Sequence, residues 1–168
     1  MQGNHSVLFL CTGNSARSIM AEAILNGKGK PFFTAYSAGS HPSGVVRPEA
    51  LKLIEMAHLP TRDLRSKSWE EFAKPEAPKM DFVFTVCDNA AKEMCPVWPG
   101  QPMTAHWGVS DPAAVQGTRE QVERGFREAY MILERRISLF LNLPLASLDK
   151  LAIQKEINRI GHAGRAAN

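Results

Sequence analysis

The sequence predicts an α/β fold: a parallel sheet with helices packed on both faces. Three observations carry this expectation. Short continuous apolar runs at Ser6–Cys11, Phe32–Ser37 and Asp81–Val86 read as strands buried on both sides. Stretches with apolar residues at helical spacing alternate with them, the mark of βαβ units. The length, 168 residues, suits one domain with one substantial core.

The elements follow in order. After the first strand, Thr12–Ala16 is a turn-forming loop of small residues. A helix is expected from Arg17 to about Asn26, with Ile19, Met20, Ala23 and Ile24 on one stripe and Gly27 as its stop. The second strand closes at Ala38-Gly39. Pro48 then suits a first helical position, ahead of a stripe formed by Ala50, Leu51, Ile54 and Ala57. Residues 60–79 are polar and proline-punctuated, and read as loop with one helical turn at most. The third strand is followed by Cys87–Cys95, where Asp88 or Asn89 caps a short helix that Pro96 ends. Met103–Trp107 is a fourth strand. Thr118 and Gln121 form a capping box that opens a long helix carrying Val122, Phe126, Ala129, Leu133, Ile137 and Phe140 on its stripe. A shorter helix spans about 147–161, an extension of a single domain covering 1–168, and the tail from His162 is expected to fray.

Composition narrows the function classes. A net charge of +3 suits an anionic substrate and falls far short of a nucleic-acid-binding profile. Arg62, Arg65 and Lys67 form a short cluster that reads as a solvated face. The longest apolar stretch, around Ile137–Leu145, is far shorter than the about 20 residues of a membrane span and is broken by Asn142 and Pro144. With no secretory pattern at the start, the expected location is cytoplasmic, where cysteines stay reduced or cycle during turnover. The three cysteines, an odd number, then have either buried, inert roles or redox ones.

Cys11 lies at the carboxyl end of the first strand, where open α/β sheets bind ligands. Arg17 follows six residues later, at the start of a helix. Between them Thr12, Gly13, Asn14, Ser15 and Ala16 are small enough to wrap with their N–H groups inward, forming a nest for a tetrahedral oxyanion. The planar guanidinium of Arg17 can grip two oxygens. This positive setting favours a Cys11 thiolate near neutral pH, with Ser18 as a donor to the sulfur and Asn14 pinning the loop. The bland alternative is a small buried cysteine and a surface arginine, and the placement between buried strand and amphipathic helix argues against it. The lysine of a nucleotide-binding P-loop is missing.

Attack by a thiolate on such an anion needs a proton for the leaving oxygen. Asp111, in the loop after the fourth strand and held extended by Pro112, lies at the same sheet edge; an ordinary Asp-Pro turn is the competing reading. Cys87 ends the third strand at that edge, and Cys95 lies eight residues on. Each is either a small buried hydrophobe or part of a thiol relay in which Cys87 attacks a Cys11 adduct and Cys95 then attacks Cys87. Spacing for a zinc site is lacking. A phosphoester does not require two extra thiols, so they favour an oxidising substrate.

With these residues in view, the chain resembles the arsenate reductases built on the low-molecular-weight protein tyrosine phosphatase fold. The likeness rests on Val7–Glu22, Ser37–Gly39, Phe82–Cys87 with Cys95-Pro96, and His106–Pro112. It implies a four-stranded parallel sheet of flavodoxin-like topology. It also implies Cys11 as nucleophile, Arg17 as oxyanion clamp, Asp111 as general acid, and Cys87 and Cys95 as resolving thiols. The implied substrate is arsenate, with phosphate or sulfate as mimics. Electrons would come from an external thiol donor, thioredoxin or alternatively glutaredoxin or glutathione, with no tightly bound cofactor. Some members hold a potassium ion near the loop, and Asn14 and Glu22 match two such positions. Cys87-x7-Cys95 is one residue longer than the spacing associated with the best-known members. The alternative is a phosphatase that hydrolyses phosphoesters through a phosphocysteine at Cys11; related phosphatases often carry tyrosine after the Asp-Pro, where this chain has Ala113-Ala114.

Overall fold

The first strand runs through the middle of the sheet in the computed structural model, which describes residues 4–88, 90, 93 and 96–163. Strands β1 (His5–Cys11), β2 (Phe33–Gly39), β3 (Phe82–Thr85) and β4 (Met103–His106) are all parallel, in the order β2-β1-β3-β4. The register places Cys11 beside Gly39 and Leu10 beside Thr85. The carboxyl ends of β1, β2 and β3 therefore converge at one edge. The order doubles back between β1 and β3, which opens the crevice where such sheets take ligands.

Alternation along β1 divides the interior. Val7, Phe9 and Cys11 face the larger core, with α1 (Arg17–Lys28), α2 (Pro48–Met56), α3 (Arg119–Leu141) and α4 (Lys150–Ile160) contributing to it. Leu8 and Leu10 face a smaller cluster with Ala38, Phe72, Met80, Val83 and Trp98. The 3-10 helix Trp69–Phe72, the single turn expected within 60–79, covers that second face, with Trp69 edge-on to Trp98. Helices thus lie on both faces, unequally.

Local rules explain most boundaries. Thr118 and Gln121 form the expected capping box at 3.1 and 2.8 Å. Asp149 caps α4 by accepting from the Ala152 N–H at 2.8 Å, so α4 starts later than the sequence suggests and is preceded by a 3-10 turn at Leu145–Ser147. Gly27 does not stop α1. The helix continues to Lys28, and Gly29 ends it with an N–H bond to Leu25 O at 2.7 Å. A Cβ on Gly27 would collide with the Leu59 side chain, so this glycine serves close packing of the segment after α2. The expected short helix after Cys87 falls partly on residues outside the described set, as does Cys95. Among the described residues no helix is long and apolar enough to cross a membrane.

Candidate active site

Cys11 is buried at the end of β1, and the chain turns at once into the loop. Three loop carbonyls are tied to the surrounding chain: Thr12 O accepts from His41 N at 2.9 Å, Gly13 O from Ser43 N at 3.0 Å, and Ser15 O from Arg47 N at 2.8 Å. A trans peptide sets each C=O opposite the following N–H. The N–H groups of Gly13, Asn14 and Ala16 are therefore turned away from that outer shell, as a nest requires. Ala16 provides no side-chain cap for α1, which leaves the first-turn donors to an incoming anion. β2 fits tightly beneath. A Cβ on Gly39 would sit 2.8 Å from Cys11 O and meet Thr12 O, so only glycine allows that approach.

Asn14 is the pin. It adopts a left-handed φ of 46° and is fully buried. Its amide donates to Ser18 Oγ at 2.7 Å and Ser37 Oγ at 3.0 Å, and its Oδ1 accepts the Lys67 N–H at 2.9 Å. Asparagine tolerates this backbone better than most side chains, and the three bonds hold it there.

Arg17 is the first residue of α1. Its Nη1 donates to Val109 O at 2.8 Å, and its Nη2 lies 3.7 Å from Asp111 Oδ2. Clamp and carboxylate are thus brought together although 94 positions apart in the chain. The other oxygen of Asp111 caps the 3-10 turn Pro112–Ala114 by accepting from Ala113 N at 2.9 Å. That bond fixes the side chain's direction while leaving it partly open to solvent.

Cys87 lies just beyond β3, against the loop. Its sulfur accepts the N–H of Thr12 at 3.3 Å and of Ala90 at 3.4 Å, and Thr12 Oγ1 is 3.6 Å away. The Cys11 and Cys87 side chains act on each other's titration through a hydrogen-bond interaction between the two sulfurs. The two thiols shift in opposite directions. The Cys11 bond, with the donors from Ala90 and Thr12, brings the Cys87 thiol down to about 5 against the cost of burial. The same bond, with burial, pushes the Cys11 thiol up, and Arg17 only partly opposes it. In the anion-free loop the Arg17 guanidinium is engaged by Val109 and Asp111. The titration belongs to the pair.

Sequence reasoning missed four contributors. Glu93 reaches back from beyond Cys87: its carboxylate accepts from Ser40 Oγ at 2.6 Å and Thr12 Oγ1 at 3.2 Å, with His41 Nδ1 at 3.4 Å. His106 bridges Thr85 Oγ1 and Asp88 Oδ1, each at 2.7 Å. Arg136 lies on the apolar stripe of α3 yet donates to Trp107 O at 2.8 Å and Gly108 O at 3.0 Å, steadying the strand end that leads to Asp111. Lys67, read as solvated, is buried. Its Nζ donates to Arg65 O at 2.8 Å and lies 3.8 Å from Glu22 Oε1. One signal was available for Arg136: a charged residue between Leu133 and Ile137 on a buried stripe has to find partners.

Asn14 and Glu22, the two positions implied for potassium, do share this buried network, through Ser37, whose hydroxyl donates to Glu22 Oε1 at 2.6 Å. The residues present do not suit a metal cation there, because the Lys67 ammonium already stands against the carboxylate. Burial raises the Glu22 carboxyl and lowers the Lys67 ammonium, and their mutual attraction opposes both shifts. A separate cavity of about 600 Å³ lies between α2 and α3, lined by Arg47, Leu53, Met56, Val122, Phe126 and Arg127 among others. Cys11, Cys87, Arg17 and Asp111 do not line it.

A buried thiol at the base of an anion nest, faced by an arginine and a carboxylate, defines enzymes that attack tetrahedral oxyanions through sulfur. The profile described as low molecular weight phosphotyrosine protein phosphatase matches residues 6–156, and the chain belongs to that family. An arsenate reductase of Oceanobacillus iheyensis is 36% identical over 138 residues, which is 80% of this chain and 93% of that protein. A solved arsenate reductase in the phosphate binding state has a TM-score of 0.63 at 25% identity, covering 82% of this chain and 96% of that one. A low molecular weight protein tyrosine phosphatase from T. tengcongensis has a TM-score of 0.60 at 26% identity, covering 80% and 99%.

Proposed function

We propose that this chain reduces arsenate to arsenite, with Cys11 as nucleophile and Cys87 and Cys95 as successive resolving thiols. The observation that carries this reading is the Cys87 sulfur held against Cys11 by the Thr12 N–H and drawn towards its thiolate form. A hydrolase has no use for a second nucleophilic sulfur at that place. The relatives named arsenate reductase support the same conclusion.

The electrons then balance in three steps. Arsenate enters the nest and draws Arg17 onto its oxygens, which frees Asp111 and favours the Cys11 thiolate over its thiol. Cys11 bonds to arsenic as one oxygen leaves as water, its proton supplied by Asp111. Cys87 attacks the Cys11 sulfur. The S–S bond forms, the sulfur–arsenic electron pair passes to arsenic, and As(V) becomes As(III), released as arsenite. Cys95 attacks Cys87, expelling the Cys11 thiolate and leaving a Cys87–Cys95 disulfide for an external dithiol. Thioredoxin is the donor we propose, with glutaredoxin or glutathione as the alternative.

The test supplies arsenate, thioredoxin, its reductase and NADPH, and follows NADPH loss. Arsenate-dependent oxidation is expected, abolished by Cys87→Ser and by Cys95→Ser. Asp111→Asn is expected to slow it by about 10²–10⁴-fold, the range for a general acid. Fast cleavage of a chromogenic phosphate ester together with no response to arsenate would install the phosphatase reading instead.

A further inference from the structure

Lysine is seldom fully buried, yet Lys67 is only 7% exposed. Its ammonium has three N–H donors and meets three oxygens from three parts of the chain: Arg65 O at 2.8 Å, Ser37 Oγ at 3.4 Å and Glu22 Oε1 at 3.8 Å. From there the network runs directly beneath the anion loop. Ser37 accepts from Asn14, Asn14 donates to Ser18, and the Lys67 N–H closes a ring on Asn14 Oδ1. Asn14 is the loop's left-handed residue, so the shape of the nest depends on partners whose charge is set by one buried carboxylate and one buried ammonium. An unpaired Glu22 carboxylate would be costly in this setting and would pull Ser37 and Asn14 out of place.

We propose that Lys67 is a positioning residue serving as a built-in monovalent cation: its ammonium, between Glu22 and Ser37, holds the anion loop in shape without a metal ion. A potassium ion on the Glu22 carboxylate and the Ser37 hydroxyl would stand beside a like charge, since the Lys67 ammonium already faces both oxygens. The inference rests only on the loop being an oxyanion site, which the reductase and hydrolase readings share.

The experiment measures phosphate affinity by calorimetry, and the thermal midpoint, in potassium chloride and in choline chloride at equal ionic strength. The wild-type protein is expected to give the same values in both salts. Lys67→Ala in choline should bind phosphate about tenfold more weakly, the scale of one charge-assisted contact, and melt earlier. Potassium should restore most of both losses, because truncation opens a space lined by the Glu22 carboxylate, Ser37 Oγ and Arg65 O. Lys67→Met keeps the stem and loses the charge, so it should show the same weakening with no rescue. A wild-type protein that responds to potassium overturns the proposal, as does a Lys67→Ala protein equally weak in both salts or unimpaired in choline. Were Lys67→Ala not to fold in either salt, the wild-type and Lys67→Met comparisons still decide. Absence of arsenate turnover would sink the reductase reading while leaving these binding measurements intact.

Discussion

Replacing Arg136 by methionine removes a guanidinium that ties three carbonyls together: Trp107 O at 2.8 Å, Gly108 O at 3.0 Å and Ala163 O at 2.9 Å. Methionine keeps the apolar stem within the stripe of α3, so the change isolates the polar head. Trp107 is wholly buried, stacked on Phe84 with centroids 3.9 Å apart, and its indole N–H donates to Ile157 O at 2.9 Å. Water therefore has little access to the Trp107 carbonyl, while the Gly108 and Ala163 contacts are part-buried. Each stranded carbonyl costs about 1–3 kcal/mol, and relief of the buried guanidinium's desolvation offsets part of the sum. A net loss of about 3–5 kcal/mol is expected, a large share of a typical domain's stability. The assay is urea unfolding followed by tryptophan fluorescence, with an unchanged slope and a lower midpoint. A corresponding fall of about 10 °C in the thermal midpoint is expected for a chain of this size. A loss below about 1 kcal/mol would show that Trp107 and Gly108 find other donors, and would refute the view that α3 anchors the strand end leading to Asp111.

Other outcomes follow from the same geometry. Cys87→Ser takes away the sulfur whose hydrogen bond pushes the Cys11 thiol up, leaving Arg17 to lower it. Alkylation of Cys11 should then begin at a lower pH than in the wild-type protein, and an unchanged or higher pH profile would contradict the shared charge. In the wild-type protein the Cys87 thiol is lowered on folding, so its contribution to stability is present above the unfolded thiol's ordinary value and is lost as pH falls through about 5; unfolding midpoints measured on either side of that pH should diverge between wild type and Cys87→Ser. Glu93→Ala releases the contacts to Thr12 and Ser40, and single-turnover arsenite release should slow by about tenfold. Gly27→Ala, worth about 1 kcal/mol in an open helix, should gain little here because the end of the Leu59 side chain must move aside, read as an unfolding midpoint that does not rise.

Much of the chemistry was legible in one dimension because it depends on local spacing. Cys11, the small loop residues and Arg17 occupy a strand–loop–helix step, and apolar periodicity alone marks both flanks. The capping box of α3 is equally local, closing within four residues. The ends of elements were less legible. Gly27 looks like a helix stop, and only the packing of Leu59 reveals what it is for.

The sequence by itself determined which groups are available: a thiol with an arginine on a helix start, a carboxyl before proline, two further cysteines, and a pattern that builds a parallel sheet. Only the tertiary structure decided which of them share charge. Register brings Cys87 to the Thr12 N–H across 75 positions and ties its titration to that of Cys11. Burial turns Lys67 from an apparent surface charge into the partner of Glu22. Residue type and spacing are carried by neighbours along the chain, whereas desolvation and charge pairing depend on distances that exist only once distant segments have met.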